Sequence, residues 1–253
     1  MVKKVIKYSL LCTTVFAVSA IYHLPASVVM SYAPMPRELA LDGTTGTIWQ
    51  GNAQNVRFQQ YSIGDVSWQF SWSSLMTLSP EYSLRFGRGS SLGLSGRGNF
   101  GVSMSGAYLE NVLASIPADT VVQYAPIPVP IKAGGQLELA IKSLNYASPW
   151  CGSGDGSLSW NAGYIESPIG SLGLGPTIVD LSCDDSVLSA AGSQNSNQVS
   201  SEFSASVTPN RQYQSQAWFK PESEFPTNMR QQLKWLGNPD GEGRYLFNYQ
   251  GRF

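Results

Sequence analysis

From Val66 to Trp72 the chain alternates apolar and polar residues without a break: Val66-Ser67-Trp68-Gln69-Phe70-Ser71-Trp72. The same period of two returns at Tyr82, Leu84 and Phe86, at Phe100, Val102 and Met104, and at Leu137, Leu139 and Ile141. It returns again through Val199–Val207, through Tyr213–Phe219, and at Tyr245, Phe247 and Tyr249. Successive side chains of a strand point to opposite faces, so each run reads as a half-buried β-strand. Leu41-Asp42-Gly43, Ile63-Gly64-Asp65, Gly134-Gly135 and Asn238-Pro239-Asp240-Gly241 read as the turns between strands. Clean alternation over many strands argues for a largely antiparallel sheet with one wet face.

Two segments read as short helices. Tyr108–Ile116 stops before Pro117. Residues 226–236 open on Pro226, place Met229, Leu233 and Leu236 on one side, and end at Gly237, where a residue with positive φ is favoured. Two such helices cannot cover the apolar face of about ten strands, so the sheet must fold into a sandwich, curl, or present an apolar groove. The proline-rich stretch 117–130 reads either as a hinge between halves 37–116 and 131–253 or as an edge connection within one domain.

The amino-terminal stretch determines the compartment. Lys3, Lys4 and Lys7 precede the 23 residues Tyr8–Met30, which hold no Asp, Glu, Lys or Arg. As a helix this stretch reaches ~34 Å, enough for a ~30 Å hydrocarbon core. Lysines on one side only put residues 1–7 in the cytoplasm and residues 31–253 across the membrane. The competing reading is a cleaved signal peptide, with an apolar core over Tyr8–Ala17 and a small-residue site at Val18-Ser19-Ala20. Both readings export the chain. Ala33-Pro34-Met35-Pro36 would then be an extended exit, because proline disfavours helix before it.

Charge narrows the partners. Without the three tip lysines, 13 basic residues stand against 17 acidic ones, a net of about −4 for the exported part, which excludes the basic face of a nucleic-acid binder. Only 13% of residues are charged, as suits an exported β-rich protein better than a long-helix one. Of three cysteines, Cys12 lies in the apolar stretch, whereas Cys151 and Cys183 lie in the exported part, where disulfides persist. A Cys151–Cys183 disulfide is therefore expected. It would close a loop of about thirty residues, worth roughly 3–4 kcal/mol by chain entropy; the alternative is two buried free thiols.

Catalytic and metal chemistry find little footing. The only histidine, His23, sits at the membrane boundary, so Ser-His-Asp, Cys-His and histidine-based metal sites cannot form in the exported part. Asp184 and Asp185, adjacent on a strand, would face opposite ways and read as a turn after Cys183. Cys151-Gly-Ser-Gly-Asp-Gly lacks the lysine and helix of a phosphate loop and reads as a turn into Leu158-Ser159-Trp160. No catalytic residue, cofactor site or metal site is assigned, and the chain reads as a non-enzyme. The tryptophans read mainly as core anchors, although Trp68, Phe70 and Trp72 could line a lipid or peptide groove. The aromatic alternation running to Phe253 also fits the closing strand of an outer-membrane barrel. Against that stand short strands, the helix at 226–236 and the proline tract.

A succession of short motifs carries a resemblance. Leu24-Pro25-Ala26-Ser27 is followed by Gly43-Thr-Thr-Gly46-Thr-Ile-Trp49-Gln-Gly51-Asn-Ala53 and Ile63-Gly64-Asp-Val-Ser-Trp68. Then come Cys151, Gly156-Ser-Leu-Ser-Trp160, Ser167-Pro168-Ile-Gly170, Leu181-Ser-Cys183 and Leu236-Gly237-Asn-Pro-Asp240-Gly-Glu-Gly243-Arg-Tyr245. In this order they resemble the protein N family of the type II secretion system, over nearly the whole chain. The resemblance implies a single-pass inner-membrane protein of a Gram-negative bacterium, with an uncleaved anchor over 8–30 and its bulk in the periplasm. It implies contacts with other subunits of the apparatus that exports folded proteins, and it carries no catalytic residues. The paired cysteines match the family's pattern. A periplasmic lipid-handling protein with an apolar β-groove and an outer-membrane barrel remain the alternatives.

Overall fold

In a computed structural model, which describes residues 2–32, 38–124 and 130–252, the chain forms one antiparallel sheet of thirteen strands lying side by side in chain order. The first six are β1 Leu39–Gly46, β2 Gln50–Phe58, β3 Tyr61–Ser71, β4 Glu81–Arg88, β5 Ser95–Ser103 and β6 Gly106–Pro117. The rest are β7 Lys132–Asn145, β8 Ser153–Ser167, β9 Gly170–Asp184, β10 Val187–Asn195, β11 Val199–Val207, β12 Gln212–Pro221 and β13 Tyr245–Arg252. Short connections make neighbours in sequence neighbours in the sheet. Each strand pairs only with the strands before and after it, so β1 and β13 are open edges among the described residues and the sheet does not close into a barrel. A spanning barrel requires that closure, because lipid cannot satisfy a bare strand edge.

Helices are few. α1 Val2–Tyr22 precedes α2 Ala26–Tyr32, α3 Ala118–Tyr124 connects β6 to β7, and α4 Thr227–Gln232 runs into a 3₁₀ turn at Leu233–Leu236 before β13. The single helix expected over 8–30 is divided. The backbone leaves the helix after Tyr22 and Pro25 bridges to Thr47 before α2 begins. Proline has no N–H to continue the ladder and turns the preceding residue toward extended geometry. Among the described residues, no helix is long and apolar enough to cross a membrane. The extended exit read at 33–36 lies outside the described residues, as does much of the proline tract. Within the tract, 118–124 is helical, and β6 pairs with β7 from Tyr108–Asn145 to Pro117–Gln136, so the sheet passes without interruption between the halves.

The helix expected at Tyr108–Ile116 is instead most of β6. Asn111 has φ 52° and sits at a register shift against β5. An extra residue of this kind breaks the period of two, which hid the strand in the sequence. The same device corrects three expected turns. Asp42-Gly43, Gly64 and Gly134-Gly135 all lie inside strands at register shifts, with φ of 60° at Gly43, 92° at Gly64 and 92° at Gly135. They are glycine bulges that bend strands rather than end them.

Burial is thin. Among the described residues no large side chain is fully buried, and the one buried cluster gathers Ala26 of α2 with Ala53, Val56 and Trp68. Among the described residues there is one sheet and no second one to make a sandwich.

Candidate interaction surfaces

Registers multiply along the sheet to give unbroken files of side chains. Ala53, Val66, Phe86, Gly96, Ala114, Leu139, Leu158, Val179, Gly192, Phe203, Ala217 and Phe247 stand in line from β2 to β13, each opposite the next. No polar side chain interrupts this file. Bulky members fold over the glycines: a Cβ at Gly96 would collide with the Phe86 ring, and one at Gly192 with Phe203. The lining is therefore low and continuous, and most of its side chains are half-buried.

One residue along, the opposite face carries Ser67, Arg85, Arg97, Leu113, Ala140, Ser157, Asp180, Ala191, Ser204, Gln216 and Asn248 in line from β3 to β13. It is polar and largely exposed. Tyr108, on the same face, donates a hydrogen bond to Glu81 Oε2 at 3.3 Å. Burial, then the Glu81 charge, push its hydroxyl above a phenol's ordinary pKa. Among the described residues, no cluster of three or more His, Cys, Asp or Glu could hold a metal ion.

One place on the apolar face is polar. Trp160, Thr177, Gln194, Ser201 and Phe219 form the neighbouring file across β8–β12. Gln194 is only 7% exposed, yet neither its Nε2 nor its Oε1 has a hydrogen-bond partner, and neither does Thr177 Oγ1. Nothing in the local sequence marked this pair; only the register brings them together.

The junction with α1 is built from aromatics. Trp49 Nε1 donates to the Ile21 carbonyl at 3.0 Å, and Tyr22 stacks on Trp72 at 6.3 Å. Trp49 also meets Phe70 and Trp72 at 5.1 and 4.9 Å. Behind this junction, between α2 and strands β1–β5, lies an almost wholly apolar cavity of about 430 Å³, lined among others by Ala26, Val29, Met30, Trp68 and Phe100. Of the three residues weighed as a groove, Trp68 and Phe70 are buried on the apolar face, whereas Trp72 is half-exposed at the junction.

At the far edge, a carboxylate shapes the entry to β13. Asp240 Oδ1 accepts from the backbone N–H of Glu242 (2.9 Å) and Arg244 (2.8 Å), and its Oδ2 pairs with Arg244 Nε at 2.9 Å. The Arg244 backbone N–H foremost, and its guanidinium as well, hold the Asp240 carboxyl below its ordinary pKa. Arg244 lies 5.6 Å over the Trp218 ring of β12. β13 itself makes eight paired positions with β12 and has no partner on its other side among the described residues.

Cys151 and Cys183 form a disulfide with Cα atoms 6.4 Å apart. Beside it Ser186, 2% exposed, donates to the Cys151 carbonyl at 3.0 Å and accepts from the Cys151 N–H. Asp184 ends β9, and Asp185-Ser186 make the turn into β10 with φ of 45° and 62°.

Known proteins agree with one another on what this chain resembles. The family model described as "Type II secretion system (T2SS), protein N" matches residues 37–248. The type II secretion system protein N of Vibrio cholerae is 48% identical over 250 residues, covering 99% of each chain. That of Aeromonas hydrophila is 37% identical over 232 residues, covering 90% of this chain and 91% of its own. The Pectobacterium carotovorum protein of the same name is 25% identical over 224 residues, 88% of each. No solved structure matches.

Proposed function

The chain belongs to the type II secretion system protein N family, and from that premise we propose that it is a non-catalytic inner-membrane component of the secretion apparatus. Its sheet lies in the periplasm and contacts other subunits to support export of folded proteins across the outer membrane. α1 is the tether. Leu10, Leu11, Val15, Phe16 and Ile21 are all more than half exposed along it, and lysines lie only at its start, the end that stays in the cytoplasm.

One observation carries the contact: the unpaired edge of β13. A bare strand edge is a template for another strand, and folded proteins ordinarily cover or distort it. β1 is distorted, with two register shifts and α2 packed near it. β13 is regular along all eight pairs with β12 and has no bulge. It offers backbone donors and acceptors to an extended segment of a partner subunit, the geometry of strand addition. A photoreactive residue at Asn248 or Gln250 in intact cells is expected to give adducts with other secretion subunits. If both positions give no protein adduct while export proceeds, docking at this edge is wrong.

A further inference from the structure

α1 is shorter than the uncharged stretch that encodes it. That stretch runs from Tyr8 to Met30, but the helix ends at Tyr22. From Tyr8 to Tyr22 the helix rises about 22 Å, about 8 Å short of a ~30 Å hydrocarbon core. Every residue from Ile6 to Tyr22 is exposed, so the helix stands clear of the sheet and meets it through Ile21 and Tyr22 at its carboxyl end. A short span thins the bilayer around it or leans on flanking residues to make up the difference.

The flanking residues here belong to the sheet. Tyr22 stacks on Trp72, which opens a 3₁₀ turn at Trp72–Thr77. The pairs Ser71–Glu81, Glu81–Gly101 and Gly101–Tyr108 put this turn and the β5–β6 hairpin at one end of the sheet. The Val102 N–H donates to the Pro80 carbonyl at 3.0 Å and the Tyr108 hydroxyl to the Ser79 carbonyl at 3.4 Å, which holds the two side by side. At their tips Met76 is 90% exposed, Leu78 74% and Met104 98%. The three stretches that turn at this end, 43–56, 66–80 and 98–109, hold no Asp, Glu, Lys or Arg. The opposite ends of β2 and β4 carry Arg57 and Arg88.

The turn satisfies its own polar groups. Ser74 Oγ donates to the Ser71 carbonyl at 2.6 Å, and Thr77 Oγ1 to the Ser74 carbonyl at 2.9 Å. The Ser71 and Ser73 hydroxyls lie 3.0 Å apart, and the Leu78 N–H donates to the Leu75 carbonyl at 3.2 Å. A turn closed in this way tolerates the loss of water that a membrane imposes. Leu78 has φ 54°, in the left-handed region where a helix end usually takes Gly or Asn. A leucine there is strained, and its exposure leaves it little burial within the protein to offset that strain.

We propose that this end of the sheet, the turn Trp72–Leu78 with Met104 beside it, is sunk into the interface of the membrane that α1 enters. The occupant follows from the tether: a helix that leaves the bilayer at Tyr22 puts Trp72 and both tips at its surface, where Trp and Tyr concentrate. Met76, Leu78 and Met104 then enter the boundary between headgroups and acyl chains, at a depth of about 5–10 Å, which matches the shortfall of α1. This rests on the tether proposed above, and not on the subunit contact at β13.

The test uses the full chain with Cys12→Ser, reconstituted in vesicles of phosphatidylethanolamine and phosphatidylglycerol. Nitroxide labels are placed one at a time through Met76→Cys and Met104→Cys, through Ser91→Cys and Asn238→Cys at the opposite end, and through Val15→Cys on α1. Collision of each label with lipid-soluble oxygen is compared with collision with a water-soluble nickel chelate. The oxygen-to-nickel ratio is expected to be several-fold higher at 76, 104 and 15 than at 91 and 238. A high ratio at 15 with low ratios at 76 and 104 overturns the proposal and leaves the tether standing. A low ratio at 15 overturns the tether and the proposal with it. Shielding of 76 and 104 from both reagents shows a protein cover and overturns the proposal too. Leu78→Asn suits the left-handed backbone, so its unfolding temperature should hold or rise while the ratio at 104 falls at least twofold. An unchanged ratio removes the role given to Leu78.

Discussion

Arg85 and Arg97 stand directly opposite each other across β4 and β5, and neither is ion-paired among the described residues. Like charges facing each other on a sheet are destabilising. Arg97→Gln is therefore expected to raise stability by about 0.2–1 kcal/mol, and the gain should shrink as salt screens the pair. Thermal unfolding at low and high ionic strength measures both; a loss of stability at low salt would show that the pair has a carboxylate or other partner holding it.

The disulfide joins residues 32 apart in sequence, Cys151 just ahead of β8 and Cys183 near the end of β9. Replacing both cysteines, Cys151→Ser with Cys183→Ser, should cost roughly 3–4 kcal/mol. Urea unfolding of the oxidised protein against the double variant gives the number, and reductant should bring the parent to the variant's midpoint.

The junction at Trp49 separates a hydrogen bond from packing. Trp49→Phe keeps an aromatic ring against Phe70 and Trp72 but removes the donor to Ile21, a loss of about 1 kcal/mol. Trp49→Ala loses both. Limited proteolysis in the 22–26 segment should follow that order, with cleavage fastest in the alanine variant.

The turn before β13 should respond to acid. The Asp240 carboxyl is held below its ordinary value, so its ionised form is favoured by folding. Its contribution is present above the unfolded value of about 4 and is lost as the pH falls through the lower folded value. Amide exchange at Glu242 and Arg244 should quicken across that acid window. In Asp240→Asn the step should vanish, with faster exchange already at neutral pH.

Much of the sheet was legible because a period of two is local information. β3, β4, β5, β7, β11, β12 and β13 each contain a run of alternating apolar residues, which suffices to specify a strand and its buried side. The cysteine pair was legible too, from compartment and number. β9 and β10 were not read, since Gly, Ser, Ala and Thr soften their contrast between faces. β6 was misread because Asn111 adds one residue and inverts the pattern midway. The glycines at 43, 64 and 134–135 look in sequence like turns, since the positive φ that ends a strand also serves a bulge within one.

The sequence by itself determined the alternation of apolar and polar residues in β3, β4, β5, β7, β11, β12 and β13, and with it which side chains within each of those runs share a face. Only the tertiary structure decided that, among the described residues, the strands form one sheet with no second sheet against it, that β1 and β13 are its open edges, and that Thr177 and Gln194 meet without hydrogen-bond partners. The physical reason is that alternation is written residue by residue, whereas closure, layering and the satisfaction of a buried amide depend on register between strands, which each bulge shifts and no single strand encodes.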